Sequence, residues 1–271
     1  MRKLNPTQVP IERKESMRRL DNLRLSSELI GAPERCVHIG DRESDIFEPF
    51  CLAHDLRTNF LVGSRVDRPA GNGDATIAQV MAGIEPAGVH LVSFRGAAGQ
   101  PQEARLAVRF ATMTVRPPIG KQKRYEHQKL QIIHAVEPDP PDHRDALVWK
   151  LITNLDVTSF GQAVQRLEWY ARRWNIETFF KALKTGCRIK DIRLTTADRL
   201  VRCIAMARST VWRIFWMTMP RGAKPAGTPA AIFTEIEPAL LDHTTAAPKP
   251  GNPRDLDCYL TAVARLGGDF A

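Results

Sequence analysis

The chain has 271 residues, 43% of them hydrophobic and 25% charged, which is ordinary for a globular protein with a packed core in one large domain or two smaller ones. A formal net charge of +9 and a pI of about 9.6 favour a polyanionic partner, of which nucleic acid is the commonest. Five cysteines without a C-x-x-C pair exclude a disulfide framework and a zinc knuckle, and residues 1–30 hold no signal-type apolar core; reduced, mostly buried thiols in a soluble cytoplasmic protein are expected.

In chain order, residues 11–31 read as a helix with Met17, Leu20, Leu23 and Leu29 near one face, stopped by Gly31-Ala32-Pro33. "RCVHIGD" reads as a short buried strand ending in a Gly-Asp turn. "SDIFEPFCLAHDL" reads as a helix that Pro49 must distort if it continues past that residue, and "NFLVGSRV" as another strand. This alternation is an α/β pattern. From Asp67 onward "GVHLVSFRG", "ARLAVRFATMTVR" and "KLQIIHAVEP" alternate apolar and polar residues between Gly and Pro clusters, predicting an antiparallel module of three to five strands. "PDPPDHRD" is a Pro-rich loop, and the apolar "ALVWKLITNL" predicts a central strand. Thr158 or Ser159 can cap a helix from Phe160 to about Lys184, with Gly186 at its end. A second helix covers about Ala197 to Met217; its "VWRIFWM" run is too short to span a bilayer. "AAIFTEIEPALL" and "LDCYLTAVARL" predict short helices in a Pro/Ala-rich tail.

Two places could carry chemistry. Asp41 follows the first strand, where an acid either caps the next helix or points into a ligand crevice; Glu43 and Asp45 read as solvated carboxylates. The predicted helix after Ser159 carries Tyr170, Arg173, Glu177, Lys181 and Lys184 at steps of 3, 4, 4 and 3, within an arc of roughly 80°. Its other side, with Trp169, Ile176, Phe179, Phe180 and Leu183, is the side expected to pack. Glu177 between Arg173 and Lys181 can be an exposed salt-bridge ladder. It can equally join Asp41 as a carboxylate pair for Mg²⁺ or Mn²⁺, with the cations holding phosphates beside the metal. Trp149, taken alone, reads as core.

The run "YARRWNIETFFKALKTG" fits the Y-(2)-R-(3)-E-(6)-K signature of the DDE transposases of the bacterial insertion-sequence-four family, through Tyr170, Arg173, Glu177 and Lys184. "HIGDRESDIFE" resembles the same family's second-aspartate segment, and "VWKLITNL" its strand before the catalytic helix. The resemblance implies a partial RNase H-like core interrupted by a β-rich insertion, with a helical C-terminal part. Its divisions are residues 1–66 and 146–219 for the core, 67–145 for the insertion and 220–271 for the C-terminal region. It implies Asp41 and Glu177 as metal-holding catalytic acids. It also implies Tyr170, Arg173, Lys181 and Lys184 as DNA contacts, with Trp149 stacking on a base turned out of the duplex. The implied cofactor is Mg²⁺ or Mn²⁺. The implied partner is the double-stranded DNA of transposon ends, handled by a homodimer in full-length relatives.

The chain departs from that pattern. The acids before Asp41, namely Glu12, Glu15, Asp21, Glu28 and Glu34, lie in a helix or at its edges, so none matches the family's first aspartate. Gly63 stands where a basic residue is expected. The expectation is a transposase truncated at both ends, inactive by itself. The alternatives are a DNA-end-binding inhibitor, a nonfunctional remnant, or a stand-alone RNase H-type nuclease.

Overall fold

The computed structural model of the chain describes residues 17–95, 100–218, 229–231, 233–244 and 256–266. It divides into two compact units, residues 1–173 and 174–271.

The first unit begins its described part with helix α1, Met17–Ile30. Leu20, Leu23 and Ser27 face inward, and Gly31 closes the helix at φ +67, where a side chain would be strained. Leu29, expected on the buried face, is instead 87% exposed. The reason is angular: Leu29 stands about 150° round the helix from the mean direction of Leu20, Leu23 and Ser27. Strand β1 is Val37–Gly40, and helix α2 is Phe47–Asp55. Pro49 does not distort α2, because it lies in the first turn, where its missing N–H had no intrahelical partner to lose. Strand β2 is Asn59–Gly63. Two-residue strands β3 (Pro69–Ala70) and β4 (Ala75–Thr76) lead into helix α3, Ile77–Ala82. The sequence reading missed α3, although Thr76 and Gln79 spell a capping box and both of its hydrogen bonds form.

Long strands follow: β5 (Gly88–Arg95), β6 (Pro101–Val115), β7 (Gln128–Val136) and β8 (Val148–Thr153). All eight strands form one open sheet in the order β1-β2-β8-β7-β6-β3-β4, with β5 also paired to β6. Only β1 and β2 run parallel; the other pairs are antiparallel. The strands of residues 67–145 are thus hydrogen-bonded into the same sheet as β1 and β2, through β8. That strand is central as expected, with Leu151, Ile152 and Thr153 fully buried. β1 is not the buried strand its sequence suggested. Among the described residues it is an edge, and Ile39 is 37% exposed.

Alternation sorts the sheet's side chains onto two cores. Phe60, Val62, Leu130, Ile132 and Ile152 pack with Phe47, Phe50, Ile77 and Met81 of α2 and α3. Leu61, Leu106, Val108, Ile133 and Leu151 face the other way, against Ala163 and Leu167 of helix α4, Phe160–Ala171. Ser159 caps α4, its hydroxyl accepting the Gln162 N–H.

The second unit holds α5 (Trp174–Thr185), α6 (Ala197–Thr218), α7 (Ile236–Thr244) and α8 (Leu256–Leu266). Phe179 and Leu183 of α5 pack on Val211 and Phe215 of α6. Phe233, Leu241, Tyr259 and Leu260 bring α7 and α8 together, and Arg213 of α6 pairs with Glu237 of α7.

Expected as a single helix, residues 160–184 form two, α4 and α5. No Gly or Pro marks the break. At Arg172 ψ is −14 and the Arg173 N–H turns back to the Tyr170 carbonyl, a tightened last turn. Packing supplies the reason. A continuous helix would set Phe179 about 120° round from Leu167, yet both are buried, in different cores.

Candidate nucleic-acid and metal site

Asp41 leaves β1 and caps a short 3₁₀ turn, Arg42–Ser44. Its Oδ1 accepts the backbone N–H of Glu43 (3.0 Å) and of Ser44 (3.2 Å) and the Ser44 hydroxyl (3.2 Å). A capping role is therefore present. The carboxylate is still 44% exposed, and Arg19 of α1 stands beside it, 4.0 Å from Oδ1. Arg19 also pairs with Glu43 at 3.0 Å and donates to the Ser44 hydroxyl.

Asp45 is not the solvated carboxylate its sequence context suggested. Its side chain is fully buried and pairs with Arg68. It also accepts the N–H groups of Arg65 (2.7 Å) and Val66 (2.8 Å). A buried acid must be satisfied in this way. The effect is to tie the segment after β1 to the segment after β2, which fixes the turn that carries Asp41.

Tyr170, near the C-terminus of α4, reaches the same corner. A Cβ on Gly63 would lie 2.6 Å from the Tyr170 hydroxyl oxygen, 3.1 Å from Arg42 Cγ and 3.2 Å from the Arg42 nitrogen. The glycine that replaces an expected basic residue therefore makes room for the tyrosine. The Tyr170 ring meets Trp149 edge-on at 6.1 Å, and the Arg173 guanidinium lies over its face at 5.7 Å. Trp149, on β8, is half-buried against the α4-side core. Arg42 spans from this corner to the Val148 carbonyl (3.2 Å). Arg42 and Arg19 were missed in the sequence; Arg42's adjacency to Asp41 in "GDRESD" was the available signal.

Glu177, Lys181 and Lys184 lie in the second unit. All three are exposed on α5 and fall within about 60° of one another around its axis. Glu177 is in the first turn and Lys184 in the last, each on the side of the helix dipole that favours its charge. The Lys184 ammonium is 6.0 Å from the Phe180 ring. The expected packed side of this segment is divided. Phe179 and Leu183 are buried, but Ile176 and Phe180 are 43% and 46% exposed, and Trp169 packs in the first unit. The five-residue face thus does not lie on one helix. Tyr170 and Arg173 stand in the first unit, and Glu177, Lys181 and Lys184 in the second.

Of the earlier acids, Asp21 lies near Arg24 on α1, Glu28 is on the same helix, and Glu34 is in a 3₁₀ turn. Glu12 and Glu15 fall outside the described residues. Among the described residues no cluster of three or more His, Cys, Asp or Glu forms a ready metal site. The cysteines are free; Cys36 is buried, Cys258 is exposed and the other three are half-buried, so "mostly buried" was too strong. Burial, with Asp55 and Glu48 nearby, pushes the Cys51 thiol up to about 12. No described helix is long and apolar enough to cross a membrane.

The family model of the transposase DDE domain matches residues 50–211, more than half of the chain. The chain belongs to this family. The matched span takes in Trp149, Tyr170, Arg173, Glu177, Lys181 and Lys184, and Asp41 precedes it. Membership makes the protein a transposase by descent, with DNA as its substrate class and divalent metal ions as the cofactors generally used. Its α/β architecture, one open sheet with helices, is consistent with such a domain.

Proposed function

We propose that the chain is part of a cut-and-join transposase of the insertion-sequence-four type, handling transposon-end DNA with Asp41 and Glu177 as its second and third acids. One observation carries this reading: Tyr170 and Arg173, the first half of the Tyr-Arg-Glu-Lys pattern, stand with Arg42 at the strand ends where Asp41 leaves β1. Strand C-terminal ends of an α/β sheet are where ligands bind. The division of residues 1–66 and 146–219 as RNase H-like core and 67–145 as insertion belongs to the same proposal.

The donor chemistry fits Mg²⁺ or Mn²⁺, which is held by one or two carboxylates together with substrate phosphate oxygens. Asp41 would offer Oδ2, since its Oδ1 caps the turn, and Glu177 would supply the second carboxylate. When bound, the ion activates the attacking oxygen and stabilises the leaving one. The chain's own residues bind and orient. Arg173 holds a phosphate by its fork, Lys181 and Lys184 act as point charges, and the Tyr170 hydroxyl donates to the backbone. Trp149 would stack on a base turned out of the duplex. Arg19, 4.0 Å from Oδ1, competes with an ion for the Asp41 charge. Among the described acids before Asp41, Asp21, Glu28 and Glu34 lie on α1 or in a 3₁₀ turn rather than on a strand, which favours end binding over cutting; a homodimer, as in the family's full-length members, belongs to the same proposal.

The test is a gel shift on duplexes carrying the ends of the encoding element, with and without EDTA, beside a Mg²⁺-dependent nicking assay. Binding should survive EDTA and weaken about tenfold or more in Arg173→Ala or Lys184→Ala, a loss of one charge-assisted contact. Indifference to DNA contradicts the reading, as does Mg²⁺-dependent cleavage that persists in Asp41→Asn and Glu177→Gln.

A further inference from the structure

Three neighbouring strands place Arg109, His134 and Lys150 side by side. Arg109 of β6 is in register with His134 of β7, and His134 with Lys150 of β8. Directly opposed residues of antiparallel strands share one face, with Cβ atoms about 4.5–5.5 Å apart. That face is the one opposite Trp149, because alternation sends adjacent residues of β8 to opposite sides. Arg105, exposed and four residues along β6 on the same face, extends the row.

Two cations thus flank one imidazole on the same face, and their charges call for an anionic partner. Arg109 spends its Nε–H on the Ile84 carbonyl at 2.7 Å, at the end of α3. Among the described residues neither Arg109 nor Lys150 forms an ion pair, and no group hydrogen-bonds the His134 ring. His134 as a whole is only 8% exposed, so a polar partner at its ring would be largely screened from solvent. Burial first, then the charges of Lys150 and Arg109, press the imidazole down to about 4, against a smaller opposing pull from Asp67. The carboxylate of Asp67 is itself engaged by the Ala78 N–H at 2.9 Å.

We propose that Lys150, His134 and Arg109 form an anion site that takes a phosphodiester of duplex DNA, on the sheet face away from Tyr170 and Trp149. The inference rests on the DNA-handling reading above and adds a second track for the duplex. Lys150 and Arg109 hold the phosphate oxygens, and the imidazole, protonated as the anion arrives, donates the central hydrogen bond. Such a contact is sequence-independent and salt-sensitive.

The experiment uses the full chain, with duplex affinity measured by fluorescence anisotropy over a salt series, and the His134 ring followed by NMR. In Lys150→Gln the slope of log K against log salt should fall by about one, equally for any duplex sequence. Lys150 is exposed, so this change leaves the fold intact, which circular dichroism checks. The His134 titration should move up on adding duplex, and inorganic phosphate at the same phosphorus concentration should move it less. The proposal is overturned if Lys150→Gln and Lys150→Glu leave slope and affinity unchanged while Arg173→Ala weakens binding; the transposase reading then stands. It is equally overturned if free phosphate shifts His134 as fully as duplex does. If the parent chain ignores DNA altogether, both readings fall.

Discussion

At the scale of single residues, the corner around Gly63 decides what Tyr170 can do. The hydroxyl occupies the space a side chain at position 63 would need, and the Arg42 backbone closes the other side. A forced methyl in such a site costs about 1–3 kcal/mol. Gly63→Ala should therefore destabilise the protein by that amount in urea denaturation. In a Tyr170→Phe background, where the clashing oxygen is gone, most of the loss should vanish. A double-mutant coupling near zero would mean that Tyr170 does not rest there. Asp45 shows why chemistry at this scale is hard to read from sequence. In "DRESD" the sequence sets Asp41 apart but leaves Glu43 and Asp45 alike, whereas one pairs with Arg19 in solvent and the other is buried against Arg68. Only the return of the chain after β2, some twenty residues on, separates them.

Elements were recovered where periodicity was strong and blurred where tertiary packing decided. The long strands β5 to β8, the central place of β8 and the Ser159 cap follow from alternation, apolar content and local hydroxyl chemistry. The edge position of β1 does not, because an apolar run cannot say what lies beside it. The break between α4 and α5 leaves no local mark; it exists because two cores claim different faces of one amphipathic run. The Pro-rich connection between β7 and β8 is held more firmly than its composition suggests. Glu137 takes a two-pronged contact from Arg144, at 2.5 and 2.6 Å, and the Leu147 N–H at 3.0 Å. Hydrogen bonding from Arg144 holds the Glu137 carboxyl below its ordinary value of 4.5. A depressed native pKa gives stability that is present above the unfolded value and lost as pH falls through the native one. Stability should thus decline as pH drops below about 4.5, and Glu137→Gln should flatten that part of the acid limb in denaturation measured against pH.

For the whole molecule, the sequence pattern pointed to a transposase, and family membership agrees. What the pattern could not show is that its four residues and the neighbouring Lys181 divide between two compact units, Tyr170 and Arg173 in one and Glu177, Lys181 and Lys184 in the other. A motif written on one helix is blind to a turn at Arg172. The account therefore turns on whether the acid at the end of β1 and the acid in the first turn of α5 serve one ion. Fe²⁺ substituted for Mg²⁺, with ascorbate and peroxide, cuts the backbone close to where the metal sits. The prediction is cleavage beside both Asp41 and Glu177, suppressed by excess Mg²⁺ and lost at both positions in Asp41→Asn. Cuts confined to one of the two segments, or absent from both, would contradict it.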